Sequence, residues 1–317
     1  MTNTPKVNLG RIAERLFGTP GILDRICRDY SLDARPDSAE VLVHALWREF
    51  GQAPVAAPLD LEPSNRTVFQ AAVRSIGSNS RPWSTYLRLE PELVARLFDL
   101  DPVAVKRAVG AGELDVKSLK PFLPGQSSSG DAFAILRWAQ RLAGPLKFHD
   151  ELRVVASKFQ ALAEHELADG LQQGELFLCV VGFFGYPPNR WLKKADLPAM
   201  WQGRSPEQWK LPGMGYALTS EMLRNLGWDG YKADRHIMRL LGRWAPEVIE
   251  ASKPRARALA QLIGSENRDL LDVLEFSLAG MQLAPDGVPR SHVDNLIWAL
   301  GAYVEKKGRE SDTDYLA

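Results

Sequence analysis

The sequence is poor in three things, and each shortage narrows what the chain can be. Only two of its 317 residues are cysteines, Cys27 and Cys179, far apart and in no C-x-x-C pair. No iron–sulfur or zinc framework is indicated, and two buried thiols in a reducing compartment are expected. Net charge is also missing, because 39 Lys and Arg balance 39 Asp and Glu. Any contact with phosphate must then come from local potential rather than global charge. Long apolar runs are absent. The most hydrophobic stretch, LFLCVVGFFGY (Leu176–Tyr186), falls far short of the ~20 residues a membrane span needs. The opening MTNTPKVNLG is polar, so a secretory leader is not expected. The expectation is a cytoplasmic monomer away from membranes. No internal repeat of fixed period is found.

What is present is helical periodicity, with little period-two alternation. The expected fold class is all-α. LGRIAERLFG and GILDRICRDY open the chain, and a third helix follows Asp37, which has capping-box spacing to Glu40. Three prolines in Gly51–Asn65 mark an extended connector and a lobe boundary near residue 60. TVFQAAVRSIG then reads as a helix running into the polar turn Ser78–Trp83. PELVARLFDL and DPVAVKRAVG each place proline in a first turn, a helix-start signal. DAFAILRWAQRLAG is amphipathic, and two more helices fill residues 151–184, the second apolar enough to be buried. Late helices are expected over about 218–227, 235–244, 253–264, 268–280 and 291–305.

The chemistry concentrates in Lys210–Trp244. Leu211-Pro212-Gly213-Met214-Gly215 enters a helix through a tight turn whose N–H groups can receive a phosphate. A sharp corner between helices has the same residues. Asp234 opens a later helix, where an aspartate can serve as an N-cap and nothing more. His236 can pack structurally, and Arg235, Arg239 and Arg243 can track phosphates or form a solvated stripe. Residues 201–257 hold ten Lys or Arg against six Asp or Glu, a local basic excess inside a neutral chain.

The ordered combination is more specific than its parts. L-P-G-hydrophobic-G, a helix, a short glycine-containing loop and D-x-H-hydrophobic-x-R on a new helix resemble the signature of the helix-hairpin-helix (HhH-GPD) DNA glycosylase superfamily. The likeness covers about residues 65–245 and the helix His292–Val304; the first 60 residues match no family pattern. It implies two helical lobes with the active-site cleft between them: residues 60–228 as the central lobe, residues 1–59 plus 229–317 as the other. It implies Asp234 as the catalytic carboxylate. The hairpin residues Leu211, Gly213, Met214 and Gly215, with Lys210, Ala217 and Arg239, would hold DNA backbone. Asn79, Trp83, Trp191 and Tyr216 would line the base pocket or fill the gap left by the flipped base, and Phe183, Phe184 and Tyr186 are further aromatics that serve either pocket or core.

Members that also nick the strand carry a lysine where this chain has Ala217, so the resemblance implies base release without strand cleavage. Lys210 and Lys232 are the nearby amines that could substitute. No iron–sulfur cluster is expected, and no metal site beyond the monovalent cation that hairpin carbonyls often hold in such folds. The implied partner is double-stranded DNA with a modified base. Alkylated purines suit an aromatic pocket, while oxidised guanine, mismatched bases and hypermodified phage cytosines stay open, as does repair against defence. The rival readings are a non-catalytic DNA-binding or damage-sensing protein, and an all-α interaction scaffold.

Overall fold

The computed structural model describes residues 62–79, 83–185, 210–265, 267–284 and 289–299. Among these residues every regular element is helical and none is a strand. The segment 1–61, with its expected helices, connector and part in a second lobe, lies outside them. Among the described residues no helix is long and apolar enough to cross a membrane.

Short polar side chains start the early helices. Ser64 Oγ accepts from Thr67 N at 3.1 Å to cap α1 (Asn65–Ser75). Asp101 does the same for α3 (Pro102–Gly110), with Pro102 in the first turn as expected. Asp115 and Ser118 form a reciprocal capping box on the single turn α4 (Val116–Leu119).

Two prolines behave differently from expectation. No helix starts at Pro91; α2 runs through it from Trp83 to Arg96. The proline withdraws the N–H that would bond the Leu87 carbonyl, and Leu87 faces solvent, where water replaces that bond. Likewise α10 (Pro246–Ile263) starts before residue 253 and carries Pro254 inside. After α2, Phe98, Asp99 and Leu100 all take positive φ (53°, 53° and 57°), a left-handed turn without glycine. Each such residue costs roughly 1–2 kcal/mol. Burial of Leu97 and Leu100, and a 2.9 Å bond from Arg66 to the Asp99 carbonyl, hold the turn.

The chain divides into two compact units. One comprises the described residues of Ala57–Trp228 together with Ala260–Leu270. It contains α1–α4, α5 (Ser128–Leu142), α6 (Phe148–Glu166), α7 (Gln173–Gly185) and α8 (Tyr216–Asn225). The apolar stretch expected to be buried is α7, whose residues Phe177–Gly185 are all buried. Phe183 and Phe184 pack with Phe148 and Phe159 at 5.0–6.4 Å between ring centroids, so both phenylalanines are core. Asn65 closes the α5–α6 corner, donating to the Leu142 and Leu146 carbonyls at 2.8 and 2.6 Å.

The other unit holds the described residues of Asp229–Leu259 and Leu271–Ala317. Its helices are α9 (Arg235–Trp244), most of α10 and of α11 (Arg268–Gln282), and α12 (Arg290–Ala299). The strap leading into α9 is pinned at three points. Asp229 accepts from Arg290 at 2.9 Å and from Ser291 N at 3.3 Å. Tyr231 is fully buried against Gly280, and Lys232 N donates to buried Asp294 at 2.6 Å.

A Cβ on Gly280 would collide with the Tyr231 ring, whereas one on Gly110 meets nothing within 4 Å. Gly280→Ala is therefore expected to cost about 1–3 kcal/mol by overpacking, and Gly110→Ala to be neutral or slightly stabilising. Thermal unfolding of the two variants checks this; a Gly280→Ala protein as stable as the wild type would contradict the packing.

Candidate functional site

The glycine-rich turn forms as a type II pattern. Pro212 pre-sets the second position, Gly213 takes φ +77° at the third, and Met214 N donates to the Leu211 carbonyl at 3.3 Å. Leu211 and Met214 bury their side chains, leaving Gly213 and Ala217 exposed and Gly215 partly so. Gly215 is the N-cap of α8, with extended backbone and no side chain to engage the first N–H groups. A Cβ there would meet nothing within 4 Å, so this helix start is open. An open start of this kind favours an anion.

The turn is held from behind. Trp138 of α5, fully buried, donates its indole N–H to the Pro212 carbonyl at 2.6 Å. Ala134, one turn earlier, lies 3.6 Å from where a Cβ on Gly213 would sit. Tyr216, expected at the pocket, is buried against Gly185, where an added Cβ would approach the Tyr216 Cα to 2.7 Å. At its other end α8 stops at Gly227 (φ +88°), with Gly227 N on the Arg224 carbonyl and Trp228 N on that of Leu223, a Schellman closure. Asn225 ties this end to α1 through the Ala71 carbonyl at 3.2 Å.

Lys210, expected on DNA backbone, is buried, with 3% exposure. Its Nζ donates to the Phe184 carbonyl in the last turn of α7 at 3.1 Å. A cation there suits the negative end of the helix, but burial dominates and pushes the amine down from 10.5 to about 7.

Asn79 follows a short 3-10 turn and is partly exposed. Its amide donates to Asp131 Oδ1 at 2.8 Å, and Ser127 Oγ donates to Asp131 Oδ2 at 2.8 Å. Asp131 is only 6% exposed, an acid on the apolar stripe of α5. The same helix thus anchors the Asn79 turn at its start and the Leu211–Gly215 turn at its middle. Sequence reasoning missed Trp138, Ser127 and Asp131. The one available signal was an aspartate in register with Ile135, Trp138 and Leu142 on a buried face.

Asp234 sits in the other unit as the N-cap of α9. It is partly exposed, and both capping bonds land on one oxygen: Oδ1 accepts from His236 N at 2.8 Å and from Ile237 N at 3.1 Å. Oδ2 accepts no hydrogen bond among the described residues. His236 lies 3.4 Å from both Arg235 and Arg239 and packs edge-on to Trp298. Arg239 is exposed. Lys232 is buried. Trp191, Tyr186 and the side chains of Trp83 and Arg243 lie outside the described residues, as does Cys27, while Cys179 is a buried free thiol. Among the described residues no group of three or more His, Cys, Asp or Glu is arranged to hold a metal ion.

The buried amine of Lys210 makes a pH prediction. Its folded-state value near 7 lies below the ordinary 10.5, so the unfolded chain binds more protons between those values and stability rises with pH across that window. Below about 7 the burial penalty is fully present. In urea unfolding at stepped pH, Lys210→Met is expected to flatten the rise between pH 7 and 10; an unchanged rise would contradict the burial. Across known proteins, no family model, curated protein or solved structure matches this chain.

Proposed function

We propose that this protein is a DNA glycosylase of the helix-hairpin-helix type, cutting a modified base from its sugar and leaving an abasic site. The observation that carries the reading is the divided carboxylate of Asp234, with Oδ1 committed to two backbone N–H groups and Oδ2 open. The cap fixes the group on a helix end, so little reorganisation is needed when charge develops nearby.

Breaking an N-glycosidic bond builds positive charge on the sugar ring. Oδ2 stabilises that charge electrostatically and orients or partly deprotonates the water that captures the sugar. The base must first leave the stack, and the turn carrying Asn79 is the segment that would occupy the gap. The open helix start at Gly215 and the peptide groups of Gly213–Gly215 would grip a phosphate, which fixes register without reading sequence. Ala217 offers no amine to attack the sugar, and Lys210 and Lys232 are both buried, so no Schiff base forms and the strand stays intact.

The test is base release from a panel of duplexes carrying alkylated, oxidised, mismatched or hypermodified bases, with alkali then revealing abasic sites. Wild type is expected to release one class of base. Asp234→Asn, which keeps a good N-cap, is expected to fold normally and lose roughly 10²-fold or more in rate. Gly215→Asp is expected to strengthen the α8 cap while abolishing DNA binding, because it puts charge where the phosphate would lie. Cleavage without alkali would contradict base release alone. Binding without release by wild type, across the panel, would turn the reading to a damage sensor.

A further inference from the structure

Phe133 is the most exposed large hydrophobic side chain among the described residues, at 56%. Single exposed apolar residues are ordinary and carry no meaning alone. Three things set this one apart. Arg137, one turn on, places its guanidinium carbon 5.9 Å from the Phe133 ring centroid, so the aromatic face already carries a cation. The exposed face of α5 around them consists of Ser129, Gly130, Phe133, Arg137 and Gln140, with no acid on it. The helix's one acid, Asp131, is turned inward onto Asn79 and Ser127.

The third is position. Ala134, next to Phe133, lies against Gly213, and Trp138, next to Arg137, holds the Pro212 carbonyl. Asp131 holds the Asn79 turn. The pair therefore belongs to the helix that joins the phosphate-binding turn to the gap-filling turn. Residues 102–142 carry six Lys or Arg against three Asp or Glu, one of which is the buried Asp131, so this surface is positive within a neutral chain.

We propose that Phe133 and Arg137 form a second DNA contact on α5, continuous with the Leu211–Gly215 turn. The ring packs on a sugar or base face of the strand beyond the gripped phosphate, and Arg137 meets the adjacent phosphate. An aromatic ring with a stacked guanidinium suits that combination, because it offers an apolar plane and a charged fork together. The inference rests on the glycosylase reading only for the hairpin's affinity for DNA, and it needs no catalysis.

The test is fluorescence anisotropy of the full-length protein on an unmodified duplex over a series of salt concentrations. Phe133→Ala, Arg137→Ala and Gly215→Asp are compared, with Leu162→Ala as an exposed control on α6. Loss of one stacking contact predicts about fivefold or more weaker binding by Phe133→Ala. Loss of one phosphate contact predicts a salt slope shallower by about one for Arg137→Ala. Unchanged circular dichroism checks folding, and a photocrosslinker at position 133 is expected to label DNA. Wild-type affinity and slope in both variants, with binding lost in Gly215→Asp, would overturn the second contact and leave the hairpin reading standing. Absence of DNA binding by wild type would overturn both. A concentration-dependent dimer abolished by Phe133→Asp would also overturn it, marking the patch as a protein interface.

Discussion

A helix cannot pair its first four N–H groups internally, and an all-helical chain has to settle that debt at every start. Most early helices here do so with a serine or aspartate whose only role is to cap. Two starts are different, and they differ in opposite directions. Gly215 brings no side chain at all, so the N–H groups of α8 stay open to an outside anion. Asp234 satisfies two N–H groups with a single oxygen and keeps the other open. One start lacks negative charge and the other has an oxygen to spare, the two requirements of an enzyme that grips a phosphate and faces a sugar cation.

Such groups are useful only if they are held still. Behind the Gly215 turn stands α5, whose buried indole clamps Pro212 and whose buried aspartate clamps Asn79. Trp138 and Asp131 touch nothing outside the protein, yet they fix two segments that would. Ahead of Asp234, the strap 229–233 is fixed by Asp229, Tyr231 and Lys232 to α11 and α12. Misplacement of a charged group by about 1 Å can cost 10²-fold in rate, which is why these supports matter as much as the groups they carry.

Much of this was legible in the sequence where the physics is local. Leu-Pro-Gly-Met-Gly encodes its own turn, Asp101-Pro102 starts its own helix, and the apolar run at Phe177 can only be buried. Local rules failed at Pro91 and Pro254, where a helix gives up one hydrogen bond and packing keeps it whole. The left-handed turn at Phe98–Leu100 has no glycine to announce it, because tertiary burial holds it. The contacts that support the candidate site span long separations, Asn79 to Asp131 and Trp138 to Pro212. No spacing rule connects such pairs. Lys210 read as a phosphate contact because lysine beside a hairpin usually is one, and burial alone reverses that.

The central claim is that Asp234 meets positive charge on a sugar. A duplex with a cationic pyrrolidine in place of one deoxyribose imitates that charge, and a neutral tetrahydrofuran duplex has the same shape without it. Affinities of wild type and Asp234→Asn for both should be measured at fixed salt. The account predicts that wild type prefers the cationic duplex by about tenfold or more, and that Asp234→Asn binds the two alike. Equal binding by wild type, or a preference that survives the substitution, would contradict it.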